Sequence, residues 1–150
     1  MRSAKLEDSV SIRALMIDVV RSTVDDRYRD ETIENVTANL GRWQERPETC
    51  VHLVAEVDGA IVGVVLVKEF WNLCSLFVAR ERQGAGIGRS LTLEAIEICR
   101  NGSATQAIYL NAWPSAVQFY AKLGFELRES SQQLPPGVQA MRLTFSASEA

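Results

Sequence analysis

The chain has 150 residues, of which 47% are hydrophobic and 23% charged, values typical of one globular domain over residues 1–150. Sixteen basic and nineteen acidic residues give a net charge of −3, which argues against an extended nucleic-acid surface. The amino terminus lacks the apolar core of a signal peptide, and no apolar run approaches the length of a membrane span. The composition therefore predicts a protein that binds neither nucleic acid nor membrane.

The three cysteines, Cys50, Cys74 and Cys99, form no CxxC pair and no cluster with metal-ligand spacing. An odd number of cysteines without a disulfide framework is typical of a reducing compartment. We therefore expect a cytoplasmic protein without a metal site. Cys74 is expected to be a small buried filler, although a strand cysteine near a thioester leaves an acyl-enzyme open.

Two helices are predicted in the amino-terminal third of the chain. Asp8 or Ser9 is placed to cap the first, whose apolar residues recur at helical spacing as far as Val19. The second is predicted over Glu31–Trp43 and is stopped by Pro47.

Three strands are predicted next. Two apolar runs, Val51–Val57 and Ala60–Lys68, flank Asp58-Gly59, and this dipeptide between β-branched runs indicates a hairpin. A third run, Asn72–Val78, is expected to pair with the hairpin. His52 lies near the start of the first run, and we expect it at a surface or edge position rather than as a catalytic base.

After Val78 the apolar period changes to that of a helix, which ends at Asn101-Gly102. The remaining predictions are a strand at Ala107–Asn111, a helix at Pro114–Leu123 with Gly124 in the C-terminal cap, a strand at Phe125–Arg128, a loop at Ser130–Gly137 and a strand at Val138–Phe145. This order predicts a mixed α/β or α+β sheet whose faces are covered by crossover helices.

A glycine-rich turn, Gln83–Gly88, joins the third strand to the helix. Glycine permits positive φ and close approach of a ligand to the backbone. The first amides of a helix lack internal partners and lie at the positive end of its dipole, so they form a cradle for a pyrophosphate. Arg80, Arg82 and Arg89 add positive charge nearby. The alternative is that the glycines only serve a tight connection.

Two nucleotide-binding motifs are excluded at this turn. A P-loop requires Gly-Lys followed by Ser or Thr, whereas Gly88 is followed by Arg89 and Ser90. A dinucleotide fingerprint requires different glycine spacing and an acid about twenty residues later, and residues 103–109 contain none. The turn therefore suits a phosphate but not a dinucleotide.

Residues 76–96, LFVARERQGAGIGRSLTLEAI, resemble the acyl-CoA-binding motif of the GNAT superfamily, whose pattern Q/R-x-x-G-x-G/A is matched by Gln83, Gly86 and Gly88. Residues 116–129, AVQFYAKLGFELRE, are similar to the second recognisable segment of that superfamily. The resemblance implies a central mixed, mostly antiparallel, twisted sheet of six to seven strands flanked by about four helices.

The same resemblance implies acetyl-CoA as co-substrate and no metal. It assigns the pyrophosphate to the amides of the glycine turn and the pantetheine arm to the strand before it. The implied cofactor-binding residues are Leu76, Phe77, Val78, Gln83, Gly84, Ala85, Gly86, Ile87, Gly88, Arg89, Asn111 and Ser115.

Acetyl transfer to an amine needs a neutral amine, a donor for the oxyanion and a proton for the leaving thiolate. Tyr120 matches the superfamily's thiolate-protonating tyrosine, and a phenol is protonated at neutral pH. Glu69, at the end of the hairpin, is the candidate general base. The alternative for Glu69 is a solvated charge beside Lys68. Asn72 and Asn111 are placed either to orient the amine or to end their strands.

Trp113 stands where the superfamily usually has Asn or Ser. It forms either an aromatic wall beside the acyl or acceptor group or a packed surface residue. The leading hypothesis is an N-acetyltransferase that acts on a primary amine of a small molecule by direct attack in a ternary complex, and the resemblance is compatible with a homodimer. The alternatives are a non-catalytic CoA-binding or interaction module and an acetyltransferase acting on a protein or peptide amine.

Overall fold

The computed structural model describes residues 1–102, 106–130 and 132–145, within which the chain forms seven strands and four α-helices. The helices are α1 (Ser9–Thr23), α2 (Asp26–Glu45), α3 (Ile87–Gly102) and α4 (Val117–Lys122). The strands are β1 (Arg2–Ser3), β2 (Cys50–Val57), β3 (Ala60–Lys68), β4 (Asn72–Val78), β5 (Ala107–Ala112), β6 (Glu126–Leu127) and β7 (Gln139–Thr144).

All seven strands join one sheet in the order β1-β2-β3-β4-β5-β7-β6. Each neighbouring pair is antiparallel except β4 and β5, which run parallel. The predicted hairpin is confirmed, because Asp58 and Gly59 take φ values of 52° and 81°, as the tight turn between twisted strands requires. The predicted mixed, mostly antiparallel sheet with about four helices is confirmed.

The sheet separates two apolar layers. Helices α1 and α2 cover one face, and α3 and α4 cover the other. In β3, Val64 and Leu66 face the α1–α2 layer whereas Val65 and Val67 face the α3–α4 layer, so this central strand is apolar on both sides. Among the described residues, no helix is both long and apolar enough to cross a lipid bilayer.

Helix α2 begins at Asp26 and ends at Glu45, so the predicted start at Glu31 was wrong. Asp25 is the physical reason, because its carboxylate accepts a hydrogen bond from the Arg27 amide at 2.9 Å and caps the helix. The added first turn is polar and carries no apolar stripe, so hydrophobic periodicity does not detect it. It contributes Tyr28 to the functional cavity described below.

The prediction that Asp8 or Ser9 caps α1 is confirmed in position, since Asp8 is the N-cap residue, but no side-chain cap forms. Asp8 occupies the cap position, but its carboxylate accepts instead from the Lys5 amide at 2.7 Å and from the Arg2 guanidinium at 2.8 Å. The Ser9 hydroxyl donates to the Leu6 carbonyl at 2.6 Å. The Arg2 contact accompanies β1, a two-residue strand that the sequence analysis did not predict.

The carboxyl-terminal elements are shorter than predicted. A 3₁₀ turn at Pro114–Ala116 precedes α4, and β6 and β7 lose their outer residues. Gly124 confirms the predicted cap, since its φ is 103° and its amide donates to the Ala121 carbonyl at 3.1 Å. Within the predicted loop 130–137, Ser131 lies outside the described residues.

His52 is buried, with 5% of its surface exposed, so the expected surface or edge position was wrong. Its strand β2 lies between β1 and β3. The imidazole packs edge-on against Trp43 with 4.2 Å between ring centroids, and neither ring nitrogen has a hydrogen-bond partner. Burial without a partner disfavours the imidazolium ion and lowers the pKa of His52 from 6.5 to about 4.

This burial makes the free energy of unfolding depend on pH. Between pH 6.5 and pH 4 the unfolded chain binds a proton at His52 that the folded chain does not, so stability falls as pH falls through this window. The full effect is about 3 kcal/mol and is absent above pH 6.5. Urea unfolding of wild type and His52→Leu at pH 7.5 and pH 5 measures this loss in the free energy of unfolding. The variant should lose less stability on acidification, and equal losses would contradict the assignment.

Candidate active site

A cavity of about 970 Å³ lies where β4 and β5 diverge. The two strands form one residue pair, Asn72 with Tyr109, and the Tyr109 amide donates to the Trp71 carbonyl at 2.7 Å. Beyond that point β4 continues beside β3 alone, while β5 continues beside β7. The cavity is bounded by β4, the end of β5, the inner side of α2, the glycine turn and the start of α4.

The glycine turn leads from β4 into α3 with two residues in the left-handed region, Gly84 and Gly86, each at φ 86°. The Gln83 side-chain amide donates to the Val78 carbonyl at 3.0 Å and fixes the turn to the end of β4. The first bond of α3 runs from the Ser90 amide to the Gly86 carbonyl at 3.0 Å. The four amides of residues 86–89 therefore precede the helical ladder and have no helical acceptor.

A close approach between β3 and α3 sets the position of these amides. A Cβ atom on Gly63 would lie 2.9 Å from both Ile87 Cγ2 and Leu91 Cδ1. Glycine at this point of β3 lets the first turns of α3 pack directly on the sheet. The start of the helix is therefore held beside the end of β4, next to the cavity.

The turn fits a pyrophosphate. A Cβ atom on Gly84 or Gly86 would meet no other atom within 4 Å, so space is open beside the backbone where an anion would lie. Arg82 and Arg89 line the same cavity and supply positive charge. Unpaired amides, a helix dipole and two guanidinium groups converge on one region, which is the requirement for binding a phosphate.

The strand edge predicted for the pantetheine arm also borders the cavity. Leu76, Phe77 and Val78 pair with β3 on one side and face the gap on the other. Asn111 and Ser115 lie across that gap. Every predicted cofactor-binding residue lines the cavity except Ala85. Unlike Gly84 and Gly86 on either side of it, Ala85 does not have a positive φ.

Tyr120 lines the cavity from α4 and is 7% exposed. Its ring packs edge-on against Phe119 and Phe125, with centroids 5.1 and 5.5 Å apart. Burial raises the pKa of the phenol above its ordinary value of 10 because it disfavours the phenolate. The hydroxyl is therefore protonated at neutral pH and is available as a proton donor.

Glu69 lies outside the large cavity. It lines a second cavity of about 350 Å³ with Asn72, and its carboxylate pairs with Arg42 at 3.3 Å. Glu69 and Phe70 form the β3–β4 turn at φ 56° and 63°, an unusual conformation for residues with side chains. Asn39 lines both cavities, so the two are neighbours. The role of Glu69 as a base stays a prediction.

A β-bulge in β4 adds polar atoms to the cavity wall. Leu66 pairs with Ser75 and Val67 with Leu73, so Cys74 is the extra residue. Burial raises the pKa of the Cys74 thiol to about 11, and the nearby Lys68 ammonium acts in the other direction. The raised pKa disfavours the thiolate and therefore the acyl-enzyme alternative. The Ser75 hydroxyl is buried without a hydrogen-bond partner.

Several cavity residues were missed by sequence reasoning. They share one side of α2, at spacings of four, three and four residues: Tyr28, Thr32, Asn35 and Asn39. This is helical spacing, but the predicted start at Glu31 cut the series short. Trp113 also lines the cavity and contacts Tyr28, with 5.8 Å between ring centroids and a 49° tilt. Trp113 is therefore part of an aromatic wall.

Comparison with known proteins agrees with this geometry. Residues 24–145 match the family model described as an acetyltransferase (GNAT) domain. A curated relative from Methanocaldococcus jannaschii, the uncharacterized N-acetyltransferase MJ1530, is 33% identical over 96 residues. That match spans 60% of this chain and 60% of the relative, so it covers less than two thirds of the relative's length.

Solved structures share the fold at low sequence identity. PaiA N-acetyltransferase from Thermoplasma acidophilum, in complex with coenzyme A, has a TM-score of 0.74 at 19% identity, covering 96% of this chain and 97% of that chain. The putative acetyltransferase yncA from Salmonella typhimurium, with acetyl-CoA, has a TM-score of 0.73 at 19% identity, covering 97% of this chain and 92% of that chain. Ribosomal-protein-alanine N-acetyltransferase from Brucella melitensis has a TM-score of 0.69 at 21% identity, covering 96% of this chain and 98% of that chain.

Two glycines of the turn offer a matched test of the anion site. Gly86→Ala forces a side chain into the left-handed region at a cost of about 1–2 kcal/mol, so the turn should rearrange and lose amide contacts. Gly88→Ala places its Cβ at ordinary contact distance, 3.5 Å from Val78 and 3.7 Å from Phe119. Calorimetry with coenzyme A should show affinity lowered at least about tenfold by Gly86→Ala and little changed by Gly88→Ala. If Gly86→Ala and Gly88→Ala bind coenzyme A with equal affinity, the anion site is contradicted.

Proposed function

The chain belongs to the GNAT acetyltransferase family, and from that premise we propose that it transfers an acetyl group from acetyl-CoA to a primary amine of a small molecule. Transfer proceeds by direct attack within a ternary complex. The observation that carries this proposal is the opening between β4 and β5, which joins the free amides of α3 to Tyr120 in one cavity.

The residues of this cavity suit the binding of acetyl-CoA as a substrate. The amides of residues 86–89, with Arg82 and Arg89, hold the pyrophosphate. The pantetheine arm carries amides, which hydrogen-bond to the β4 edge as an added strand would. The thioester then lies in the gap, within reach of the polar atoms of β4 and of α4.

The transfer step requires one bond to form and one to break. The neutral amine attacks the thioester carbonyl carbon, a C–N bond forms, and the C–S bond breaks as its electron pair leaves on sulfur. Tyr120 donates its phenolic proton to that sulfur, and the proton that the attacking nitrogen loses as the amide forms passes through water to restore the phenol. A buried phenol suits this role because its raised pKa keeps it protonated until the thiolate appears.

Glu69 is proposed as the general base, acting through water rather than directly. Its carboxylate lies in the second cavity, and the side of α2 that carries Asn39 is common to both cavities. Water molecules along that side would carry a proton from the ammonium to Glu69. The exposed ion pair with Arg42 is worth about 1 kcal/mol or less, so it does not prevent this role.

Two alternatives remain. In the described lining of the large cavity, Asp25 is the one carboxylate, and this favours a non-catalytic CoA-binding module. A protein or peptide amine is the other alternative, and the Brucella melitensis neighbour is named for such an acceptor. Calorimetry with acetyl-CoA, combined with thiol release against small amines and peptides, separates the three. Binding without transfer to any acceptor would overturn the proposed activity.

Cytoplasmic location, a homodimer and a single domain over residues 1–150 stay predictions.

Tyr120→Phe removes the proton donor but keeps the ring that packs between Phe119 and Phe125. We expect kcat to fall by roughly 10²-fold or more, with the KM for acetyl-CoA and the thermal midpoint nearly unchanged. Tyr109→Phe, which alters a tyrosine outside the cavity lining, is the matched control. Steady-state release of the CoA thiol measures both. Unchanged turnover in Tyr120→Phe would remove the residue from the mechanism.

Glu69→Gln tests the base. If protons leave through this carboxylate, kcat/KM for the amine should fall by about 10²-fold near neutral pH, and the loss should shrink at high pH, where the amine is already neutral. Glu94→Gln, an exposed carboxylate on α3, is the control. A pH profile of Glu69→Gln that matches wild type would assign Glu69 to the solvated surface instead.

A further inference from the structure

The acceptor side of the cavity carries an aromatic bridge. Tyr28, in the first turn of α2, contacts Trp113, which directly follows β5. The two residues therefore connect opposite walls of the cavity at the carboxyl end of β5, where β4 and β5 have diverged. Both side chains are partly exposed and both line the cavity, so their ring surfaces are available to a ligand.

Opposite charges balance beside this bridge, because Arg27 and Asp25 form an exposed ion pair with Nε and Oδ1 3.4 Å apart. Arg27 lies over the Tyr28 ring, with its guanidinium carbon 5.5 Å from the ring centroid. Asp25 is the single carboxylate in the described lining, and its oxygens already accept from the Arg27 amide at 2.9 Å and the Arg27 guanidinium at 3.4 Å. The bridge therefore presents apolar ring surface beside an ion pair, in which the one carboxylate of the described lining is the partner of Arg27.

The rest of the α2 wall is polar but uncharged. Thr32 donates its hydroxyl to the Tyr28 carbonyl, whereas the side chains of Asn35 and Asn39 make no hydrogen bond within the described part of the chain. Amide oxygens accept a hydrogen bond from one ammonium or amine group. They do not offset the repulsion of several positive charges, which requires carboxylates.

From these features we infer that the acceptor is a monoamine carrying an aromatic or large apolar group, which packs against Tyr28 and Trp113 while its single amine points toward the thioester. The rings, rather than a net charge, orient the molecule, because Arg27 is paired with Asp25. A polyamine would place a second and third cation in a cavity whose single described carboxylate is already paired with Arg27. This inference rests on the proposed acetyltransferase activity and narrows its substrate class.

The test compares three acceptors under the same acetyl-CoA concentration: 2-phenylethylamine, ethylamine and spermidine. Ethylamine lacks only the aromatic group, and spermidine adds charge. We expect kcat/KM for 2-phenylethylamine to exceed that for either of the others by at least about tenfold, since burying a phenyl ring is worth that much. Release of the CoA thiol measures all three.

Variants locate the effect at the bridge. Trp113→Ala and Tyr28→Ala should each lower kcat/KM for 2-phenylethylamine about tenfold more than kcat/KM for ethylamine. Trp113→Phe and Tyr28→Phe keep a ring at each position and should retain most of the preference. The KM for acetyl-CoA and the thermal midpoint report whether a variant has lost its cofactor site or its fold.

Two results would overturn the inference while leaving the proposed activity intact: faster acetylation of spermidine than of 2-phenylethylamine, or equal losses for both monoamines in Trp113→Ala. Acetyl-CoA binding without acetylation of any amine would overturn the proposed activity, and this inference with it. Preference for 2-phenylethylamine that disappears in Trp113→Ala and returns in Trp113→Phe supports the inference.

Discussion

The divergence of β4 from β5 is the constraint on which the functional site depends. Parallel strands normally continue their ladder, but here one pair, Asn72 with Tyr109, is followed by separation. Each backbone group left without a partner in a dry interior would cost about 1–3 kcal/mol, so the opened edge must face water or a ligand that hydrogen-bonds to it. An extended molecule with amides along its length meets that demand. The separation is therefore a structural cost, and it is the site at which we propose that acetyl-CoA binds.

Elements around the gap hold it open. The Tyr109 amide bonded to the Trp71 carbonyl fixes the closed end, and the bulge at Cys74 changes the course of β4. Gly63 lets α3 pack close to β3, which places the start of that helix beside the far end of β4. The anion site and the opened strand edge consequently lie in line. A pyrophosphate and the arm attached to it can then be bound together.

The two faces of the sheet contribute different chemistry. From α3 and α4 come the unpaired amides and the buried phenol of Tyr120, which we assign to the donor. From α2 come amide and aromatic side chains, which we assign to the acceptor. Because these groups lie on opposite sides of one gap, donor and acceptor can be present at the same time, as direct attack in a ternary complex requires.

The donor side was readable from the sequence because its signals are local. Glycines at 84, 86 and 88 between a strand and a helix, and the segment around Tyr120, lie in short contiguous stretches. The acceptor side was not readable from the sequence, because Tyr28 and Trp113 come into contact only after the chain folds. The start of α2 was predicted wrongly because its cap, Asp25, is a single polar residue and gives no hydrophobic periodicity. His52 was misplaced because a position near the start of a strand gives no sign in the sequence that Trp43 of α2 would pack against it.

The most direct test is nitrogen-15 NMR of the backbone amides during titration with coenzyme A. Hydrogen bonds to the pyrophosphate should shift the amides of Gly86 and Gly88 strongly. Gly41, which lies in α2 and outside the lining of the cavity, should stay nearly unchanged. Saturable binding without shifts at Gly86 and Gly88 would contradict a site built on the opened β4 edge and the first turn of α3.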